Sequence, residues 1–450
     1  GTKNMSKIQD YIKNDIKKHP ELRKGYEQES LLLDAAVERS LAKYSKYFDL
    51  DLDSAKQYTV DHTDFFGDEK PEDLNIKEVS DGNINHVYRV DDGKKSLILK
   101  QTGKTIRTSG NPLDQHRGHI EYRVLEIQRK LSGDQVPEIY DYNETMHVIL
   151  MENVWQFKNL RYELKDEHIY PKFADQISKF MSNVYLPTTD LVMDRIEKKK
   201  NVKDFINVGP CDISEKLVLT EPYYNYLGRN VFEEKLKPFV EQNLYNNLPL
   251  KVEVGKLRNN FMNNPQALLH GDLHSGSIFI NDSDVRVFDS EFGFYGPIGY
   301  DIGNVIGNLV FPYVVQSAYL KKQNKGNKKF ISWLRETIAD VYDLTFSKMS
   351  KKYDELVKFP FYQERGFKNE YLHSISADTL GYAGTEIIRR TVGDTKVLEI
   401  NDIEDQDLKN LVMKIFVKIG SQMIMDRKVY KSGSEVVTDI DKIFSEMIED

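Results

Sequence analysis

The stretch 266–304, QALLHGDLHSGSIFINDSDVRVFDSEFGFYGPIGYDIGN, constrains the fold more than any other part of the 450-residue chain. Two apolar, β-branched runs, Ser277 to Ile280 and Val285 to Phe288, flank the polar turn Asn281-Asp282-Ser283-Asp284. Apolar runs on either side of such a turn predict a hairpin. A hairpin brings the chain back to where it set out, so Asp272, just before the first strand, is expected beside Asp289, just after the second.

Asp and Gly next to short strands are ordinary turn residues, and the triplet His270-Gly271-Asp272 alone reads more readily as a turn than as a reactive loop. Here it is followed in order by the hairpin, by Asp289-Ser290-Glu291 and by Gly299-Tyr300-Asp301-Ile302-Gly303. Four such features in register are hard to obtain by chance. One carboxylate that orients a hydroxyl and another that holds a metal are what phosphoryl transfer to an alcohol requires.

Upstream, the chain changes character twice. Residues 5 to about 50 are charged and helical in spacing, with Ile8, Tyr11, Ile12, Leu31, Leu32, Ala35, Ala36 and Leu41 recurring, and carry no evident chemistry. Gly1–Asn4 precede Met5 and read as a vector-derived remnant. From Leu74 the pattern becomes strand, polar loop Asp81-Gly82-Asn83-Ile84-Asn85, strand, turn Asp91-Asp92-Gly93, strand, ending at Lys100. A loop of this kind turns backbone N–H groups toward a phosphate, although one glycine makes the signal weak. Lys100, closing an apolar strand behind that loop, can reach the phosphates of a nucleotide.

Gly118 to Leu131 predicts an amphipathic helix carrying Glu121 and Glu126. One glutamate should pair with Lys100; Glu121 is the choice, with Glu126 the alternative. Strands Ile139 to Tyr142 and His147 to Met151 then lead to Met151-Glu152-Asn153-Val154, where strand gives way to helix. A hinge is expected there, with backbone groups near Glu152 and Val154 open to an adenine edge.

The remainder reads as mainly helical. Helices are predicted over 172–184, 231–247, 308–319, 330–342 and 405–427, the last closing the chain. Lys198-Lys199-Lys200 reads as a solvated loop. Cys211, a lone thiol without metal-ligand spacing, reads as packing. Arg389 and Arg390 are adjacent on a helix and point about 100° apart, so they cannot share one flat exposed stripe. With small residues Gly381, Ala383 and Gly384 nearby, they are expected to be buried against something anionic. The plainer reading is positive charge at a helix C-terminus.

Composition narrows the partners. A net charge of -8 leaves no electrostatic footprint for nucleic acid, which favours a small-molecule substrate. A single cysteine excludes an internal disulfide and fits a reducing compartment. No run approaches the ~18 apolar residues of a membrane span. A cytoplasmic protein without a membrane partner is expected.

With these pieces in order, the sequence resembles the methylthioribose kinases, a branch of the aminoglycoside-phosphotransferase and choline-kinase superfamily. The resemblance runs from about Leu74 to the end and is carried by DGNINHVYRV, PCDISEKLVLTEP, LLHGDLHSGSI, DSEFGFYGPIGYDIGNVIGNL and GTEIIRRTVG. Ser277, where related kinases usually have Asn, and the D-x-E run in place of a D-F-G-like turn are specific to this branch.

The resemblance implies an α+β, bilobal, protein-kinase-like fold. An N-terminal antiparallel β-sheet lobe with one helix (61–152) would bind ATP, and a larger, mainly helical lobe (153–450) would carry catalysis, behind a helical extension at 5–60. It implies that Asp272 orients the anomeric hydroxyl and that Asp289 and Glu291, sharing a face of extended chain, hold Mg²⁺. It further implies that Arg389 and Arg390 bind substrate, that Lys100 holds the ATP phosphates, and that Gly82, Asn83 and Asn85 cover them. His270 and Asp301 would brace the loop, and Phe294 or Tyr295 would line a methylthio pocket. The product would be 5-methylthioribose 1-phosphate, made by a homodimer. The competing readings are a choline, ethanolamine or aminoglycoside kinase, and a kinase-like binding module without turnover.

Overall fold

The computed structural model describes residues 2–79, 84–105 and 112–450, the side chains of 2–8 and 40–41 excepted. The chain divides into two compact units, 1–122 with 138–153, and 123–137 with 154–450. Among the described residues no helix is long and apolar enough to cross a membrane.

The first unit is built on an antiparallel sheet of five strands: β1 (Asn75–Glu78), β2 (His86–Asp91), β3 (Ser96–Gln101), β4 (Ile139–Asn143) and β5 (Val148–Glu152), in the order β1-β2-β3-β5-β4. Alternation decides its faces. Tyr88, Val90, Leu97, Leu99, Val148 and Leu150 point into one core with Ala55 and Tyr58. Those last two come from the helix Leu52–His62, started by a capping box between Asp51 and Ser54. This helix therefore packs on the sheet, although most of it falls in the stretch expected as an N-terminal extension. Its polar surface, broken by few apolar residues, hid the contact.

Lys100 pairs with Val87 and Ile149 across its neighbours, in the register opposite in sense to Leu99. It is buried, and so is Glu121, on the helix His116–Ser132.

The second unit holds four short strands ahead of its long helices, together with β6 (Lys158–Asn159). In the hairpin, β8 (Ile278–Ile280) pairs with β9 (Val285–Val287), Ile278 facing Val287 and Ile280 facing Val285, and β6 adds to its edge. Asn281 closes the turn, its Oδ1 accepting from the amides of Ser283 and Asp284 at 2.8 and 3.0 Å. The first strand is shorter than expected, because Ser275–Ser277 forms a 3₁₀ turn. β7 (Ala267–Leu269) and β10 (Phe294–Gly296) pair antiparallel and bracket the hairpin.

Three helices set the depth of this unit: Ile298–Gln323, Arg365–Val392 and Gln406–Met425. Glycines every fourth residue on the first, Gly299, Gly303 and Gly307, face the second. A Cβ on Gly303 would stand 2.5 Å from the Thr379 carbonyl oxygen and 2.7 Å from the Ala383 nitrogen. On the far side of Arg365–Val392, a Cβ on Gly384 would stand 2.5 Å from the Gly420 carbonyl oxygen.

The sequence expectations for 231–247 and 308–319 are corrected. The former is three short pieces, Glu234–Leu236, Lys237–Val240 and Glu241–Tyr245, because Pro238 restarts the helix. The latter begins at Ile298, its early turns masked by low-propensity glycines. A further helix, Gly433–Met447, follows the one expected to be last; its Ser432 N-cap accepts from the Glu435 amide, and Ser432-x-x-Glu435 was its sequence signature.

Placing a methyl at Gly303 overpacks a main-chain contact. Gly303→Ala should lose about 1–3 kcal/mol of stability, read as a lower midpoint in urea unfolding at unchanged slope.

Candidate active site

β7 delivers His270-Gly271-Asp272 into a turn that only glycine enters easily. Gly271 has φ +85°, and a Cβ there would lie 2.0 Å from the Phe292 carbonyl oxygen. Asp301, fully buried in the first turn of Ile298–Gln323, accepts from the His270 amide at 2.7 Å, the Gly271 amide at 3.0 Å and the Tyr185 hydroxyl at 2.8 Å. Burial raises its pKa, and His270, Tyr185 and these amides oppose that rise. The His270 ring reaches the Phe288 carbonyl oxygen at 2.6 Å through Nε2, so Nε2 carries the hydrogen and Nδ1 accepts from the Asp272 amide at 3.2 Å. One imidazole thus ties the loop of Asp272 to the residue before Asp289.

The Asp272 carboxylate is partly open, at 38% side-chain exposure. Burial works against its ionisation, but His274, at 3.3 Å, outweighs it together with Arg390 and His270, and its pKa lies well below the usual carboxylate range. Arg389 and Arg390 occupy the last turn of Arg365–Val392. Arg390 donates from Nε to Glu386 Oε1 at 3.0 Å, one helical turn back; Glu386 is buried and Arg390 partly so. Burial opposes the charge on Arg390, but Glu386 and Asp272 raise its pKa; burial and the adjacent Arg390 lower that of Arg389. Burial, with Glu386 and Asp272, raises the pKa of Tyr300, and Arg389 opposes the rise. The structure therefore brings Asp272, Arg389 and Arg390 into one electrostatic cluster, and the anionic neighbours expected of the arginines are Glu386 and Asp272.

Asp289 and Glu291 lie in the connection from β9 to β10. They do not share a face of extended chain: Asp289 is left-handed at φ +63°, and Glu291 sits in the turn closed by the Gly293 amide on the Ser290 carbonyl at 3.0 Å. A left-handed non-glycine residue is a strained conformation held by its surroundings. Asn207 supplies part of that hold, donating to the carbonyls of Glu291 and Gly293 at 2.9 Å each. Among the described residues no group of three or more His, Cys, Asp or Glu is arranged around a metal position.

Lys100, Glu121, Asn85 and Glu152 belong to the first unit. Lys100 Nζ donates to Glu121 Oε2 at 2.8 Å. Asn85 Oδ1 accepts from Arg117 Nη2 at 3.0 Å and from the Gly103 amide at 3.4 Å. The Glu152 amide donates to the Glu138 carbonyl at 2.8 Å, so that donor is spent in the sheet and is not open to an adenine edge. The Val154 carbonyl, in the second unit, accepts from the Phe157 amide at 2.9 Å. Gly82 and Asn83 lie outside the described residues.

Other expectations shift. Lys198 is helical and buried, held by Asp190 at 2.7 Å, where a solvated loop was expected. Phe294 and Tyr295 are interior rings packed on Phe261 and Phe205. Cys211 fits the packing reading: burial pushes its thiol up to about 12. Sequence reasoning missed Glu386, although its i,i+4 spacing to Arg390 announces the pair.

An acid within the electrostatic reach of two guanidinium groups, with two further carboxylates on the turn across a hairpin, is the set of groups a kinase-like phosphotransferase uses. A methylthioribose kinase of Geobacillus sp. (strain WCH70) is 32% identical over 367 residues, 81% of this chain and 89% of the relative. One of Bacillus cereus (strain AH187) is 32% identical over 380 residues, 84% and 93%. No family model matches the chain. Among solved structures, a choline kinase from Cryptosporidium parvum Iowa II aligns over 89% of this chain and 97% of its own, with TM-score 0.43 and 14% identity. The chain belongs to the methylthioribose kinase family.

Asp301→Ala strips the acceptor from two buried amides and one buried hydroxyl. It should cost about 3 kcal/mol or more, measured by urea unfolding, and turnover should fall with it.

Proposed function

We propose that this kinase transfers the γ-phosphate of ATP to O1 of 5-methylthioribose, giving 5-methylthioribose 1-phosphate for methionine salvage. The observation that carries the reading is the cluster of Asp272 with Arg389 and Arg390, in a chain 32% identical to methylthioribose kinases over 84% of its length.

Asp272 orients the O1 hydroxyl and takes its proton as the alcohol attacks. Its low pKa keeps the carboxylate ionised at neutral pH, ready to accept. Arg389 and Arg390 bind the sugar hydroxyls and stabilise the charge on the transferring phosphoryl, a task for a permanently charged planar fork. Lys100, kept in place by Glu121, holds the ATP phosphates, with the loop at Gly82, Asn83 and Asn85 over them. Backbone groups near Glu152 and Val154, the Glu152 amide excepted, serve the adenine edge.

Asp289 and Glu291 would hold Mg²⁺, which takes one or two protein carboxylates and completes its shell with phosphate and water; a triad of protein ligands is not required. When bound, the ion neutralises phosphate charge.

The substrate class agrees with the electrostatics. The sugar is neutral, and a pair of arginines repels cations such as choline. We assign the enzyme to the cytoplasm as a homodimer, by analogy with the family.

A turnover panel of methylthioribose, choline and an aminoglycoside tests the reading: phosphate should pass to methylthioribose, and transfer to choline alone would sink it. Asp272→Ala should lower kcat by about 10²- to 10⁴-fold and leave nucleotide affinity largely intact by calorimetry. Arg390→Lys should also impair turnover, because an ammonium cannot reproduce the fork.

A further inference from the structure

We propose that His274 and Arg161 form a positioning relay that presents Asp272 to the substrate hydroxyl, with His274 locked as the tautomer carrying its hydrogen on Nε2. The proposal rests on the reading of Asp272 as the group that takes the hydroxyl proton.

The ring of His274 stands between two opposite demands. Its Nε2 lies 3.3 Å from Asp272 Oδ2. Its Nδ1 lies 3.0 Å from Arg161 Nη2 and accepts the Gly276 amide at 2.9 Å. A guanidinium and an amide can only donate. Nδ1 must therefore present its lone pair to both, and the ring hydrogen is left on Nε2, facing the carboxylate. Oδ2 is thereby occupied, which leaves Oδ1 for the alcohol.

A simpler role, N-cap of the turn Ser275–Ser277, accounts for the Gly276 amide alone. It explains neither the guanidinium on the same nitrogen nor the aim of Nε2. The chain has also made room for Arg161: a Cβ on Gly276 would stand 2.6 Å from Arg161 Nη2 and 2.7 Å from His274 Cε1. Arg161 is aimed by its own helix, Leu160–Lys165, whose cap Asn159 accepts the Arg161 amide at 3.0 Å and donates to the Gly276 carbonyl at 3.3 Å. The same asparagine thus sets both ends of the relay.

Two measurements test the proposal. In protein labelled with ¹⁵N-histidine, the His274 signal, identified by its loss in His274→Gln, should show a bare Nδ1 and a protonated Nε2. In Arg161→Gln the same tautomer should persist, because the Gly276 amide still donates to Nδ1 and Asp272 still faces Nε2. A wild-type ring protonated on Nδ1 overturns the proposal whatever the substrate.

In steady-state kinetics, His274→Phe should lower kcat by about 10- to 100-fold, the range of a hydrogen bond to a charged group, with KM for ATP unchanged. His274→Gln, which keeps a donor, should recover part of the loss, and in the Asp272→Ala background His274→Phe should cost nothing further. Equal losses for Phe and Gln, or losses that multiply, overturn the relay while leaving the sugar kinase reading intact. A wild-type protein inert toward methylthioribose would instead remove that reading, and the tautomer measurement would still decide the relay.

Discussion

The site depends on one buried carboxylate that takes no part in chemistry. Asp301 receives the amides of His270 and Gly271 and the hydroxyl of Tyr185, three donors converging on a fully buried acid. A buried acid is tolerated only when its acceptors are filled, so loop and helix are coupled: neither can move without leaving polar groups unpaired. His270 extends the coupling to the hairpin through the Phe288 carbonyl. The turn of Asp272 and the strained turn of Asp289 are thus joined by hydrogen bonds from residues that contribute no reactive atom themselves.

The two arginines, adjacent in sequence, have been given different surroundings. Arg390 has a carboxylate one turn below it and gains hold on its charge. Arg389, half-buried, has less compensation and stands beside a like charge. Arg390 is oriented by Glu386 one helical turn back, whereas Arg389 feels Glu386 and Asp272 through charge.

Much of this was legible in the sequence where the signal is local. The hairpin followed from β-branched runs about a polar turn, the Lys100 and Glu121 pair from strand and helix order, and the partial burial of the arginines from their angular separation and small neighbours. What was missed is non-local. The helix Leu52–His62 looks polar because only a few of its residues, Ala55 and Tyr58 among them, enter the sheet core. Lys198 looks solvated in a run of three lysines, and only the fold brings Asp190 and the Pro265 carbonyl to it. The Asp289 to Glu291 connection was read as extended because sequence spacing carries no sign of a left-handed residue. The roles of Arg161 and Asn159 depend on a strand pairing, β6 on β8, too short to leave a periodic trace.

The glycine seam between Ile298–Gln323 and Arg365–Val392 has a consequence for how such an enzyme can vary. Where main chain rests on main chain, the depth at which the guanidinium groups stand is fixed by covalent geometry, with no rotamer able to absorb an error. Side chains elsewhere on these helices are released from acting as spacers and are free to drift over generations. Divergence in this lineage should therefore be uneven, permissive along the outer faces and nearly frozen along a line three glycines long.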